Sequence, residues 1–336
     1  MKILYKSVFL ILLPVIVALV SASYSPDFEA YKLIYENDSL LTISDQLNQY
    51  TFFNETVFHL INNAFSYFLS DTQTIFTLTF LSILSKFYLI DKISHNNFAT
   101  YIYVIVFLFY FDGIILRVGL ATTFILFSFY LFILRKYIFS LIAILIATQI
   151  HITSLVYLFP LFLTLFINSS ITTKSIYASP LLLMLNLNFI NLISFASTNF
   201  NEKYSFYIDG AKSDLEDITI NFVGYCFFYF VTIFYTNYKI KDFLLKKNCS
   251  NTTFIKTCHI ATVFGLLLLT LLKSNTVIAA RLSDLLLLPI IFTLSMVINN
   301  NFLNKKRFEN LMVFAFILTY GIMRNFNVYS VMEFIG

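Results

Sequence analysis

The chain is a succession of apolar runs, and their lengths limit what it can fold into. They lie at about 7–23, 74–90, 98–116, 118–134, 138–150, 152–167, 176–196, 218–238, 257–273, 283–298 and 311–327. A helix needs roughly 20 mostly apolar residues to cross about 30 Å of hydrocarbon. Backbone groups in lipid must be satisfied within the segment, so the spans are expected to be helices. With 59% hydrophobic and 12% charged residues among 336, the chain carries more apolar surface than a soluble core of this length requires. The expected fold is an all-α polytopic membrane protein, a bundle of about 11–12 transmembrane helices forming one integral membrane domain over 1–336.

Two stretches complicate the count. Residues 55–70 contain Glu55, His59, Asn62 and Asn63, which are too polar for a plain span, and the stretch reads as an interfacial or re-entrant helix. The opening run, preceded by Lys2 and Lys6 and ending in small residues, reads as an uncleaved first helix rather than a signal peptide, because many spans follow it.

Lysine and arginine accumulate in cytoplasmic loops. With the amino terminus inside and 55–70 not crossing, Lys86, Lys92, Arg135, Lys136 and Lys174 fall on the cytoplasmic side, as do the basic loops 239–256 and 299–310. The acidic segments 24–54 and 197–217 then fall outside. A crossing by 55–70 would invert every later loop, unless 138–167 formed one long helix. The net charge of +4 is explained by these loops, and no nucleic-acid partner is expected. Cys226, Cys249 and Cys258 have no metal or redox spacing.

This threading puts Arg117, Arg281 and Arg324 at the outer ends of helices. An arginine at the hydrocarbon edge snorkels, pairs with a neighbour or holds an anion. Asp112, five residues before Arg117, and Asp284, three after Arg281, offer local pairing. Three arginines on one side favour an anion site, because guanidinium matches phosphate oxygens in bidentate geometry. On the same side, "DFEAYKLIY" spaces Asp27, Tyr31 and Tyr35 four residues apart, on one helical face. An acceptor with aromatic rings suits a sugar. "HITS" places His151 and Ser154 one turn apart. Histidine titrates near neutrality and is the most available proton acceptor there, although a lone histidine is often a packing residue. Tyr204 and Tyr207 in the 197–217 segment could touch glycan, or that segment is a solvated connector.

The segments "DFEAYKLIY", "NETVFHLINNAF", "LRVGLATTFILFSFYLF", "ILIATQIHITSLVYL" and "ARLSDLLLLPI" resemble, in order and approximate spacing, the EpsG/Wzy-like polysaccharide polymerases of bacterial surface-polymer clusters. The resemblance runs from about 24 to 325. Two positions depart from the family pattern: Val118 stands where Gln often follows the first arginine, and Asp284 stands where an aromatic is common.

The resemblance implies a bundle like that of the membrane-embedded C-type (GT-C) glycosyltransferases. It also implies glycosyl transfer at the outer face of the bacterial cytoplasmic membrane. The donor would be the growing chain on polyprenyl pyrophosphate, and the acceptor the nonreducing end of a lipid-linked repeat unit. Arg117 and Arg281 would stabilise the leaving pyrophosphate, with Arg324 a third cation. His151, then Asp27 or Glu55, would remove the acceptor proton. Tyr31, Tyr35, Ser154, Tyr204 and Tyr207 would bind substrate. Partners on this reading are the lipid-linked oligosaccharides, the bilayer, and a chain-length regulator and flippase of the same pathway.

The sequence has no Asp-x-Asp pair, phosphate-cradling Gly-rich loop, nucleophile elbow or HExxH, so no metal or other cofactor is expected. The alternatives are a lipid-linked oligosaccharide flippase, which would show an internal repeat and charges lining a path open to both sides, and an O-antigen ligase-type glycosyltransferase that moves finished polymer.

Overall fold

The computed structural model describes residues 2–25, 27–49, 55–94, 96–164, 220–245, 250–272, 276–303 and 307–333. All regular structure among these residues is helical. Among the described residues, four helical stretches are long and apolar enough to cross a membrane: Asp71–Ser94, Leu116–Ile133, Thr253–Leu271 and Leu282–Asn299. Leu10–Tyr24 and Phe28–Ser39, joined by an 82° bend, make a fifth if they act as one span. The protein is an all-α polytopic membrane protein. The expected run 176–196 lies outside the described residues.

The chain forms two compact units, Met1–Leu155 with Ile298–Gly336, and Val156–Val297. In the first, α1 (Lys2–Tyr24) turns into α2 (Phe28–Ser39). Ser25 holds the corner: its hydroxyl accepts from Asp27 N–H at 3.2 Å and donates to the Ile114 carbonyl at 2.9 Å. Thr42 and Asp45 exchange side-chain-to-backbone bonds that open α3 (Ile43–Gln49). The following α4 (Thr56–Ser66) has 11 residues, about 16 Å of helix, and is too short to cross.

A buried polar cluster docks α4 on α2. Asp38, fully buried, takes His59 Nδ1 at 2.9 Å and Asn62 Nδ2 at 3.2 Å on its carboxylate. Its backbone carbonyl accepts from Asn63 Nδ2 at 2.8 Å and Gln46 Nε2 at 3.3 Å. His59, Asn62 and Asn63 follow helical i, i+3, i+4 spacing and share one face. The polarity of 55–70 is therefore an internal face turned to α2.

Next come α5 (Asp71–Ser94) and α6 (Asn97–Tyr103), the latter capped by Asn96 Oδ1 on Phe98 and Ala99 N–H. The expected span 98–116 is not a regular helix. A wide π-helical turn, Val104–Leu108, separates α6 from α7 (Phe109–Gly113), and the chain then breaks before α8 (Leu116–Ile133). Arg135, with φ 59°, turns the chain into α9 (Tyr137–Ile150). Residues 138–167 do not form one long helix: His151 is extended, with φ −151° and ψ 115°, and a 3₁₀ segment Ile152–Tyr157 follows. On α9, Ile138, Phe139, Leu141, Ile142 and Leu145 are exposed, as expected of a face turned to lipid.

Lys86 is not a loop lysine. It is fully buried inside α5, with Nζ 2.5 Å from Asp112 Oδ1. Asp112 is therefore the partner of Lys86, and the expectation that it pairs locally with Arg117 is corrected.

The second unit holds α10 (Leu158–Leu163), α11 (Ile220–Leu245), α12 (Ser250–Leu271), α13 (Thr276–Leu287) and the part of α14 (Ile290–Leu303) up to Val297, and it buries Cys258, Ala261, Leu285 and Ile291. A Cβ at Gly265 would lie 3.0 Å from Leu286 Cβ, so α12 and α13 approach closely there and a side chain would require the neighbours to shift by a few tenths of an ångström. The last helix, α15 (Arg307–Glu333), belongs to the first unit. It lies on the π turn, where a Cβ at Gly321 would come 2.5 Å from the Ile105 carbonyl oxygen and Asn325 Nδ2 donates to that oxygen at 3.3 Å.

Candidate active site

Glu55 stands at the N-cap of α4 with φ 58° and ψ 44°. A non-glycine residue in this left-handed region costs about 1–2 kcal/mol. The conformation directs its carboxylate to two cationic or titratable groups far away in sequence. Oε2 accepts from Arg117 Nη1 at 2.5 Å, while Oε1 accepts from the Ile152 N–H at 3.0 Å and lies 2.9 Å from His151 Nδ1.

Burial by itself would raise the Glu55 carboxyl. The His151 hydrogen bond, the Arg117 charge and the Ile152 N–H outweigh it and hold the group at about 2. An ionised carboxylate can only accept, so His151 Nδ1 must donate to it. In the neutral imidazole this leaves Nε2 as the proton-accepting nitrogen. The end of α9 supplies the placement, because the helix stops at Ile150 and His151 turns out of the helical path.

Arg117 is the second residue of α8. Its guanidinium lies 5.8 Å from the ring centres of both Tyr31 and Phe58, and its side chain is 30% exposed. Glu55 engages Nη1, and Nε is buried with no hydrogen-bond partner among the described residues. With its side chain 30% exposed and only Nη1 bonded to Glu55, the guanidinium keeps terminal N–H donors that an oxyanion can reach. Beside His151, the hydroxyls of Thr153 and Ser154 are also buried without partners among the described residues.

The other predicted site residues fall in different settings. Tyr31 is 4% exposed, packs edge-on to Phe58 at 6.2 Å and accepts from the Arg117 N–H at 3.5 Å through its hydroxyl. The Tyr35 hydroxyl donates to the Leu69 carbonyl. Asp27 stands at the N-cap position of α2, four residues before Tyr31, and its carbonyl accepts from the Tyr31 N–H at 3.0 Å. Arg324 is buried over the Tyr110 ring, 4.3 Å from its centre, and 5.5 Å from that of Phe107. Arg281 lies on α13, and Asp284 one turn later accepts from the Tyr225 hydroxyl. Tyr204 and Tyr207 lie outside the described residues.

Sequence reasoning singled out Glu55, Arg117, His151, Ser154 and Tyr31; the structure links Glu55, Arg117, His151 and Tyr31 through direct contacts, and the Ser154 N–H bonds the His151 carbonyl at 3.0 Å. It missed Thr153, whose signal was its position between His151 and Ser154. It also missed the Asp38 cluster, which the spacing of His59, Asn62 and Asn63 could have suggested. Among the described residues, no group of three His, Cys, Asp or Glu is placed to hold a metal ion.

A family model described as the EpsG family matches residues 6–334. No curated protein and no solved structure matches the chain.

Proposed function

The chain belongs to the EpsG family, which supports a general role as a polysaccharide polymerase-like glycosyltransferase, and from that premise we propose that it elongates a lipid-linked glycan at the outer face of the bacterial cytoplasmic membrane. In this reaction a hydroxyl at the nonreducing end of a lipid-linked repeat unit attacks the anomeric carbon of a growing chain held on polyprenyl pyrophosphate. The new oxygen–carbon bond forms as the anomeric carbon–phosphate oxygen bond breaks. The hydroxyl proton passes to His151 Nε2, and the polyprenyl pyrophosphate departs with the bonding electron pair.

The observation that carries the reading is the Glu55 carboxylate, which binds Arg117 through one oxygen and His151 through the other. A base and an anion-binding cation are thus held together by a single group. Transfer to a sugar hydroxyl needs both functions at once: proton removal at the acceptor and charge stabilisation at the leaving group. Glu55 fixes the His151 tautomer and supports the imidazolium as it forms. Pyrophosphate oxygens on Arg117 would take over part of the charge that Glu55 balances in the free site.

The test is complementation of a strain lacking this gene with wild type, Arg117→Ala or His151→Ala, at matched membrane levels. Surface glycan would be read as a gel ladder and lipid-linked intermediates by mass spectrometry. The expected result is loss of the ladder with single repeat units still exported. A ladder unchanged in both variants overturns the proposed site. Repeat units trapped on the cytoplasmic side would favour the flippase, and polymer made but left on its lipid carrier would favour the ligase.

A further inference from the structure

The charged pair Lys86–Asp112 lies fully inside the helices, with side chains 0% and 1% exposed, and the proposed chemistry does not use it. Asp112 Oδ1 takes Lys86 Nζ at 2.5 Å and the Ser82 hydroxyl at 3.0 Å, and Oδ2 takes the Tyr103 hydroxyl at 2.5 Å. Burying a charged pair in place of well-packed apolar side chains often gives no net stability. Ionisable groups within a membrane domain point instead to a functional constraint.

The backbone is shaped to make the cluster possible. Tyr103 and Asp112 are nine residues apart, which on a regular α-helix is about 180° of rotation and opposite faces. The π turn at Val104–Leu108 absorbs one extra residue and removes about 100° of that separation. Tyr103 can then reach the same carboxylate as Lys86.

Asp112 sits where α7 ends, five residues before Arg117. A Cβ at Gly119 would lie 2.9 Å from Asp112 Oδ1 and 2.8 Å from the Phe111 carbonyl oxygen, so the first turn of α8 rests directly on the cluster. Ser82 also bonds the Gly119 carbonyl at 3.2 Å and the Thr123 hydroxyl at 3.1 Å. From the other side, Ser25 holds the Ile114 carbonyl at 2.9 Å. Every strand of this clamp ends on the α7–α8 joint or on the first turns of α8, from which Arg117 projects.

We propose that Lys86 and Asp112, with Tyr103, Ser82 and Gly119, are positioning residues that set the angle at which Arg117 meets the leaving pyrophosphate. The inference rests on the reading of Arg117 given above. These residues touch no substrate; they act by fixing the joint. A misplacement of about 1 Å at a reacting group can cost on the order of 100-fold in rate.

The experiment uses the full-length protein in lipid nanodiscs, with lipid-linked repeat units as substrate. Four forms are compared: wild type, Arg117→Ala, the apolar pair Lys86→Met/Asp112→Leu, and the combined triple variant. Replacing both partners avoids an unpaired buried charge and removes the acceptor of the Tyr103 hydroxyl, so the pair variant is expected to accumulate and to melt moderately below wild type. Its kcat should fall by about 100-fold with little change in acceptor KM, and adding Arg117→Ala should cost almost nothing further, because residues acting through one group are non-additive. A folded pair variant with wild-type kcat overturns the proposal, and so do losses that multiply in the triple variant. If the pair variant does not accumulate, Gly119→Ala carries the same cycle, since it presses on the joint without removing a charge. Full activity of Arg117→Ala would overturn the site reading as well, whereas its inactivity beside a fully active pair variant overturns only the positioning role.

Discussion

Glu55 occupies a backbone conformation that glycine or asparagine would adopt more easily, so its value lies in the carboxylate. Glu55→Gln keeps the size but removes the charge, leaving Arg117 uncompensated and His151 without its ionic acceptor. Initial polymerisation rates are expected to fall on the order of 10²- to 10⁴-fold. The same carboxyl predicts a pH effect on stability. It titrates at about 2 in the folded protein, against 4.5 for an ordinary Glu. Its stabilisation is complete above about pH 4.5 and is lost as pH falls through 2, a contribution on the order of 3 kcal/mol. Thermal melts of wild type across this window should decline with acid, and Glu55→Gln should lack that part of the slope. Glu55, Arg117 and His151 could each be picked from the sequence, because a charge or histidine at the edge of an apolar run needs a reason. Their pairing could not be read, since Arg117 and His151 lie 62 and 96 positions from Glu55 and nearer acids were available. Asp112 was the obvious partner for Arg117, and it is taken by Lys86.

Helices are placed here by buried polar contacts as much as by apolar packing. The α2–α4 contact depends on Asp38, so Asp38→Ala, which removes the carboxylate that His59 Nδ1 and Asn62 Nδ2 bond, should cost about 2–3 kcal/mol. A lowered melting temperature of the purified protein would report it. Because α4 starts immediately after Glu55, polymerisation should fall too, and Asn62→Ala should have a milder effect on both readings. The existence of most helices was legible from the apolar runs, but their interruptions were not. The π turn at Val104–Leu108 lies in an unbroken apolar stretch, with no proline or glycine to mark it. The carbonyl it releases at Ile105 is claimed by Asn325 on α15, 220 positions away. Lys86 was misread for a related reason: near the end of an apolar run, a lysine looks like a loop residue until its partner is known.

For the whole molecule, α8 supplies an internal ruler. It carries Arg117 in its first turn, and Arg135 and Lys136 follow its last residue, Ile133. Its 18 residues are about 27 Å long, close to the hydrocarbon thickness. The Arg117 end and the Arg135 end therefore belong to opposite faces if the helix crosses. In a Cys249→Ser background, where Cys226 and Cys258 are buried, Ser39→Cys should react with an impermeant maleimide in intact cells. Lys136→Cys should react only after permeabilisation. The reverse pattern would move the Glu55 cluster to the cytoplasmic side and remove the outer-face reading. The charge distribution sets the expected polarity that this labelling tests; the depth of the site was not legible, because it depends on where α9 stops. With 14 residues, α9 reaches only about 21 Å, so its arm of the α8–α9 hairpin ends roughly one turn short of the other. If α8 and α9 both cross, His151 lies about one turn short of the plane set by the end of α8, and the lipid around α9 has to thin to meet it. Acyl-chain length then becomes a control variable. In vesicles of graded chain length the protein should polymerise faster in thin bilayers than in thick ones, and Arg117 and His151 should share that dependence unequally.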